Sequence, residues 1–313
     1  MKSPHYSGKP ILICGPTASG KSALGLAIAE KIDGCVINAD ALQVYDTWRV
    51  LTARPCIEEE KRVPHHLYGH VPLKETYSVG TWLRDLEGVL KHTNRRPIIL
   101  GGTGLYFSSL TNGLAAIPET PEEVRDRGND IRTRSNAEEF IAYLSKNDPE
   151  TLVDMDVKNA MRLQRAWEVF ETTGRGLASW QADTPEPLLS LKETTAIVLN
   201  SKPEWLNRRI ETRFDVMVDQ GALDECREVL EKGWDATLPS SRALGAQELI
   251  SYLSGDLSLE EAKEKATIAT RQFAKRQRTW FRSKMKDWTQ VELNEETNVD
   301  QLADLVLSNG NPT

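Results

Sequence analysis

The sequence is poor in cysteine. Its 313 residues contain four, Cys14, Cys35, Cys56 and Cys226, with no CxxC spacing and no cluster of partner ligands. Such a set supports neither a disulfide framework nor a zinc site and suits a reducing cytosol. No stretch of about 18 consecutive apolar residues occurs, and Met1 to Pro10 lacks the apolar run of a secretory leader. The sequence therefore predicts no membrane partner and a cytoplasmic location. Positive charge is not in excess either: the net charge is −7, which by itself argues against bulk attraction to nucleic acid.

What is present is more specific. A chain of this length, 39% hydrophobic, is expected to form one large domain or two of moderate size. Its basic residues are unevenly spread: Lys265, Arg271, Lys275, Arg276, Arg278, Arg282, Lys284 and Lys286 follow one another with no acidic residue between them. An acidic protein can still offer a polyanion one local basic face.

Short, fully apolar runs at Pro10–Cys14, Cys35–Asn38, Ile98–Leu100 and Thr195–Leu199 alternate with helical patterns, among them Val79–His92. That texture predicts an α/β core, a P-loop NTPase-like parallel sheet covered on both faces. Between the prolines at 118 and 187 the chain turns charged and helical, as in Ala137–Ser145 and Lys158–Thr173. The expected organisation is a discontinuous core, 1–117 and 190–290, a helical insertion, 118–189, and a polar tail, 291–313. Ser258 and Glu261 form a capping box that opens the last long helix.

Gly15-Pro16-Thr17-Ala18-Ser19-Gly20-Lys21-Ser22 satisfies G-x-x-x-x-G-K-[ST] between a predicted strand and a predicted helix. Its glycines let backbone N–H groups curl round phosphate oxygens, Lys21 adds a full charge, and the Ser22 hydroxyl can ligate Mg²⁺. Nothing in this chemistry demands a nucleoside beyond the phosphates. A P-loop most often serves phosphoryl transfer, so a small-molecule kinase or NTPase is the reading to beat. Asp40 ends the second strand at the ligand-binding edge of the sheet, where it serves as a general base, a Mg²⁺ ligand or a turn cap. Thr103, after the third apolar run, is a polar group at the same edge or part of a tight turn. Arg271, Lys275, Arg278 and Arg282 recur at helical spacing, opposite a face with Ala269, Phe273 and Trp280. Phosphates or water would meet that basic face equally well.

Six ordered segments carry a family resemblance: Gly15–Ser22, Ala39–Tyr45, Pro64–Leu67, Gly101–Tyr106, Arg162–Val169 and Ala274–Arg282. In that order, over some 270 residues, they resemble the segments of tRNA dimethylallyltransferases. The resemblance implies transfer of a dimethylallyl group from dimethylallyl diphosphate to the exocyclic amine of the adenosine 3′ of the anticodon. It assigns Asp40 and Thr103 to catalysis, and Gly15 through Ser22 with Arg213 to the diphosphate. Tight contacts to tRNA are implied for Asp40, Ala41, Leu42, Gln43, Thr103, Arg125, Met161, Arg162, Leu163, Gln164 and Arg165. Mg²⁺ on Ser22, an anticodon stem-loop as partner and a monomeric state complete the expectation. A related enzyme prenylating free adenine nucleotide is the nearer alternative, although a small acceptor needs no helical arm. Arg125 lies in the charged run Pro121–Arg134, and the commoner meaning of such a run is a plain solvated helix face.

Two segments depart from the family pattern. Thr47 to Pro55 reads Thr-Trp-Arg-Val-Leu-Thr-Ala-Arg-Pro where Gly-Thr-Ala-Lys-Pro is usual, and Gly245-Ala246-Gln247-Glu248 replaces a Gly-Tyr-Lys-Glu pattern. His65-His66 has no third ligand in sight and is expected to be structural.

Overall fold

Apolar β-runs with no polar face can satisfy their backbone and side chains only inside a sheet covered on both sides. In the computed structural model, which describes residues 6–135 and 137–309, six parallel strands form such a sheet. They are β1 (Ile11–Cys14), β2 (Cys35–Asn38), β3 (His65–His66), β4 (Pro97–Gly101), β5 (Thr195–Ser201) and β6 (Thr289–Leu293), in the order β3-β2-β4-β1-β5-β6. β1 is flanked by β4 and β5, with Cys14 paired to Gly101 and to Val198. The C-terminal ends of β1, β2 and β4 therefore lie side by side, and the loops that leave them carry Gly15–Ser22, Asp40 and Thr103.

The helices are α1 (Lys21–Lys31), α2 (Ile57–Arg62), α3 (Val79–His92), α4 (Gly104–Asn112), α5 (Glu122–Ser135), α6 (Glu138–Asn147), α7 (Pro149–Val153), α8 (Ala160–Thr173), α9 (Leu177–Ala182), α10 (Pro203–Met217), α11 (Leu223–Glu231), α12 (Ala246–Leu253), α13 (Leu259–Lys284) and α14 (Val299–Asn309). The chain divides into two compact units, Met1–Thr111 with Leu189–Thr313, and Asn112–Leu188. In the first, Leu24, Leu26 and Ile28 of α1 pack on Ile11, Ile13, Ile98 and Leu100 of the sheet. A second core gathers Trp48, Leu51, Phe214, Met217, Leu249 and Ala266. The predicted capping box is present at Ser258, whose side chain accepts the Glu261 N–H.

In the helical unit Phe140, Leu144, Leu163, Ala166 and Trp167 form a core of their own. Asn159 caps α8 by accepting the Arg162 N–H, so the helix begins at Ala160, two residues after the predicted start.

The expectation of a polar tail from 291 is corrected by the structure. Residues 289–293 pair with β5, and Ala303 and Val306 of α14 are buried in the same core as Leu24 and Ile28. The polar look of this segment arises because β6 is an edge strand with exposed side chains and α14 buries one stripe only. Residues 1–5 of the expected core, Asn136 of the insertion and residues 310–313 of the expected tail lie outside the described residues. Val306→Asp should place a carboxylate in this core and cost about 2 kcal/mol or more of stability. Chemical denaturation reads this directly, and an unchanged midpoint would remove α14 from the core.

Candidate active site

The phosphate loop turns from β1 into α1 through two left-handed residues, Ala18 at φ 62° and Gly20 at φ 94°. Glycine adopts this region freely, whereas Ala18 is held there at a cost of about 1–2 kcal/mol. Arg209 of α10 supplies one restraint: its Nε donates to the Ala18 carbonyl at 2.9 Å while its guanidinium sits 4.7 Å from the centre of the Trp205 ring. Ser19 N–H closes the turn on the Pro16 carbonyl at 3.2 Å. No side chain caps the N-terminus of α1, so its unpaired first-turn N–H groups remain available to an anion.

Lys21 is only 8% exposed, and its Nζ donates to the Pro16 carbonyl at 3.4 Å. Burial pushes its pKa down to about 8; the Asp40 carboxylate opposes this and the Arg213 guanidinium adds to it. Arg213, on α10, is likewise pushed down to about 10 by burial, again opposed by Asp40, with Arg209 adding repulsion. Lys21 and Arg213 are thus both cationic at neutral pH and both answer to one carboxylate.

That carboxylate is held by its neighbours. Asp40 Oδ1 accepts the Leu42 N–H at 3.0 Å, which makes the turn-cap reading correct without using Oδ2. Asn38 brackets the same residue, accepting the Asp40 N–H at 2.8 Å and donating to its carbonyl at 2.9 Å. Thr103 Oγ1 accepts the Ala41 N–H at 2.9 Å, and Thr103 N–H donates to the Ala39 carbonyl at 3.2 Å. Thr103 is therefore both part of a turn and in contact with the Asp40 loop. Burial, and secondarily Asp40, raises the pKa of Tyr68 and Tyr106, which stay protonated phenols.

A pocket of about 60 Å³ opens against the phosphate loop. Thr17, Asp40 and Arg213 line its polar part; Leu51, Ile210, Phe214, Met217, Leu244 and Phe273 line the rest. Ser22 is exposed one residue after Lys21. Among the described residues no three His, Cys, Asp or Glu side chains gather into a cage for a metal ion.

The predicted contacts in Asp40–Gln43 and in α8 divide on burial. Ala41 and Leu42 are half-buried, and Leu42 lines the pocket. Gln43 is buried and spends its amide on the carbonyls of Thr52 and Ala53, at 2.8 and 3.0 Å. On the helical unit Arg125, Met161, Arg162 and Arg165 are exposed, but Leu163 and Gln164 are not. Leu163 belongs to the unit's core, and Gln164 bonds Asn129, Arg132 and Glu168, because positions 163 and 164 fall on the inward face of α8. A direct surface contact through the side chains of Gln43, Leu163 or Gln164 is thus corrected to a supporting role. On α13, Arg271 pairs with Glu211 at 2.9 Å, while Lys275 and Arg282 are exposed. His65 and His66 form β3, with His65 Nδ1 2.9 Å from the Val63 carbonyl.

Several residues of the site were not foreseen from sequence. Arg209 lies one helical turn before Arg213, a spacing that does signal a shared face. Gln277, buried in α13, takes the Thr17 N–H on its Oε1 at 2.9 Å and was concealed within a basic run. Glu225 accepts the N–H groups of Arg49, Val50 and Leu51 at 2.7, 2.7 and 3.1 Å and so fixes the first of the two departing segments. The first departing segment lines the pocket with Leu51 and Thr52, and the second follows directly on Leu244, which also lines it. Gly245 is their meeting point, at φ 89°, where an added Cβ would lie 2.5 Å from the Phe214 ring.

The fold and this pocket define a P-loop protein whose phosphate loop opens onto an apolar wall, an arginine and a carboxylate. The chain belongs to the IPP transferase family, whose profile matches residues 43–284. It is 54% identical over 285 residues to a tRNA dimethylallyltransferase of Cereibacter sphaeroides, covering 91% of this chain and 96% of that protein. A tRNA dimethylallyltransferase of Dinoroseobacter shibae is 56% identical over 283 residues, 90% of this chain and 94% of the relative. Among solved structures, a eukaryotic dimethylallyltransferase acting on tRNA superposes with a TM-score of 0.82 at 28% identity, covering 97% of this chain and 80% of that one. The tRNA delta(2)-isopentenylpyrophosphate transferase of Staphylococcus epidermidis gives 0.64 at 31%, covering 96% and 99%.

Gly245→Ala combines a strained dihedral with a clash against Phe214, and is expected to cost about 1–3 kcal/mol. A fall in the thermal unfolding midpoint checks this, and an unaltered midpoint would show that the wall has room to yield.

Proposed function

We propose that this protein is a tRNA dimethylallyltransferase, which moves the dimethylallyl group of dimethylallyl diphosphate onto the exocyclic amine of the adenosine 3′ of the anticodon. The observation that carries this reading is a pocket against the phosphate loop in which the Arg213 guanidinium, the Asp40 carboxylate and an apolar wall meet, with buried Lys21 beside it in the loop. A nucleotide hydrolase needs the cradle but has no use for Leu51, Ile210 and Phe214 at its mouth. A short branched hydrocarbon leaving a diphosphate uses both parts.

The diphosphate would lie on the backbone of Gly15–Gly20 and the N-terminus of α1, with Lys21 and Arg213 taking up the negative charge that grows as the carbon–oxygen bond breaks. The hydrocarbon would rest on the apolar wall, away from water that would otherwise capture the allylic cation. Asp40 Oδ2, left unused by the turn, would receive the proton lost from the attacking amine. Thr103, through the Ala41 N–H, would keep that carboxylate in place. The fit for Mg²⁺ is reasonable: this ion is commonly bound through one or two protein oxygens and substrate phosphates, and the exposed Ser22 hydroxyl is such an oxygen. When bound it would supply further charge for the leaving diphosphate.

Binding of the anticodon stem-loop would draw on Arg125, Met161, Arg162 and Arg165, all exposed on the helical unit. Among the described residues no helix is long and apolar enough to cross a membrane. A cytoplasmic monomer is the proposed working form.

Incubation with unmodified tRNA, labelled dimethylallyl diphosphate and Mg²⁺ should move label into RNA; label in free adenine nucleotide instead would favour the small-acceptor relative, and turnover of labelled ATP without tRNA a kinase. Asp40→Asn should lower the transfer rate by about 10²–10⁴-fold with donor affinity largely kept. An undiminished rate would remove Asp40 as the base. Lys21 is charged below about 8 and neutral above it, so the attraction for diphosphate weakens as pH rises through that value. The donor KM should therefore climb between pH 7 and 9.5, and a flat profile identical to that of Lys21→Ala would contradict the assignment.

A further inference from the structure

The phosphate loop and the Asp40 loop leave different strands, and for transfer they must be held in one register. Backbone bonds tie each loop to the end of β4, Gly15 N–H to the Gly101 carbonyl at 3.4 Å and Thr103 N–H to the Ala39 carbonyl at 3.2 Å, and a further link passes through a side chain on neither loop. Gln277 of α13 is 6% exposed; its Oε1 accepts the Thr17 N–H at 2.9 Å, and its Nε2 donates to the Gly102 carbonyl at 2.9 Å. One amide thus spans the gap from the phosphate loop to the turn after β4. The next residue, Thr103, takes the Ala41 N–H, and Asp40 takes the Leu42 N–H. The path runs from Thr17 through Gln277, Gly102 and Thr103 to the Asp40 turn by hydrogen bonds and one peptide link.

The surroundings are shaped to this contact. An added Cβ on Gly102 would lie 2.3 Å from Gln277 Nε2 and 3.1 Å from Asp40 Oδ2, so a side chain there would displace the amide. A shorter or apolar residue at 277 would leave the Thr17 N–H and the Gly102 carbonyl, both in the interior of the site, without this partner. Neither the chemistry of the diphosphate nor that of the base needs Gln277 itself, since its two polar ends are both consumed by backbone.

We propose that Gln277 is a positioning residue that sets the distance between the diphosphate cradle and the Asp40 carboxylate, and that its loss slows transfer without weakening either substrate. This inference rests on the proposed transferase reaction. Each loop keeps its internal hydrogen bonds when Gln277 is replaced, so donor and tRNA still bind. What changes is their mutual alignment, to which rates of group transfer are steeply sensitive.

The test is single-turnover transfer by Gln277→Met, which keeps the volume and removes both bonds, and by Gln277→Glu, which keeps the acceptor for Thr17 and loses the donor to Gly102. Gln272→Met, at an exposed position of the same helix, is the control. The rate constant of both variants should fall at least tenfold, with half-saturating donor and tRNA concentrations within about threefold of the wild type. A merely structural role would instead lower the amplitude, which counts folded molecules, and leave the rate constant alone. A rate constant within twofold of the wild type in Gln277→Met, or in Gln277→Glu should the Met variant not fold, overturns the proposal. Wild-type protein that transfers nothing would remove the reaction and this role together, whereas active wild type beside equally fast variants would remove this role alone.

Discussion

Two cations, buried Lys21 and half-buried Arg213, stand in the field of one carboxylate, that of the half-buried Asp40. Burial disfavours the charge on each, and Asp40 only partly compensates. The site is therefore short of negative charge, and a polyphosphate is what would complete it. Much of the architecture serves to keep these three groups together. β1 and β2 end next to β4, α1 begins at Lys21, and α10 brings Arg213 and Arg209 to the same loop. Without the parallel order of the strands the three groups would not meet.

The apolar wall depends on another restraint. Segment 47–55 has no regular structure of its own, yet it presents Leu51 and Thr52 to the pocket. It is gripped from both sides: the Glu225 carboxylate takes three successive N–H groups and the Gln43 amide takes two successive carbonyls. Trp48 anchors it to the second core, its Nε1 donating to the Ser240 carbonyl at 3.0 Å. Leu51 of segment 47–55 and Gly245, which opens segment 245–248, thus meet beside Phe214.

Burial also redistributes the roles of α8. Its exposed face carries Met161, Arg162 and Arg165, while Leu163 and Gln164 point inward. Gln164 is nonetheless tied into a polar network with Asn129, Arg132 and Glu168, which fixes the helix against α5 and so fixes where the exposed arginines stand.

The sequence alone determined the phosphate loop, the parallel α/β core and a carboxylate, Asp40, and a hydroxyl, Thr103, at the ends of neighbouring strands. These were legible because each rests on local chemistry: a glycine and lysine spacing, an apolar run, a carboxylate at a strand end. It misread residues 291–309 as a tail, because an edge strand and a one-striped helix look polar until their partners are known. Only the tertiary structure decided which side of α8 faces outward, that segments some two hundred residues apart form one wall, and that Gln277 reaches across to the phosphate loop. Contacts of that kind carry no periodicity and no composition of their own. A buried amide inside a basic helix is ordinary as sequence, and it acquires meaning only when folding places two orphan backbone groups at its ends.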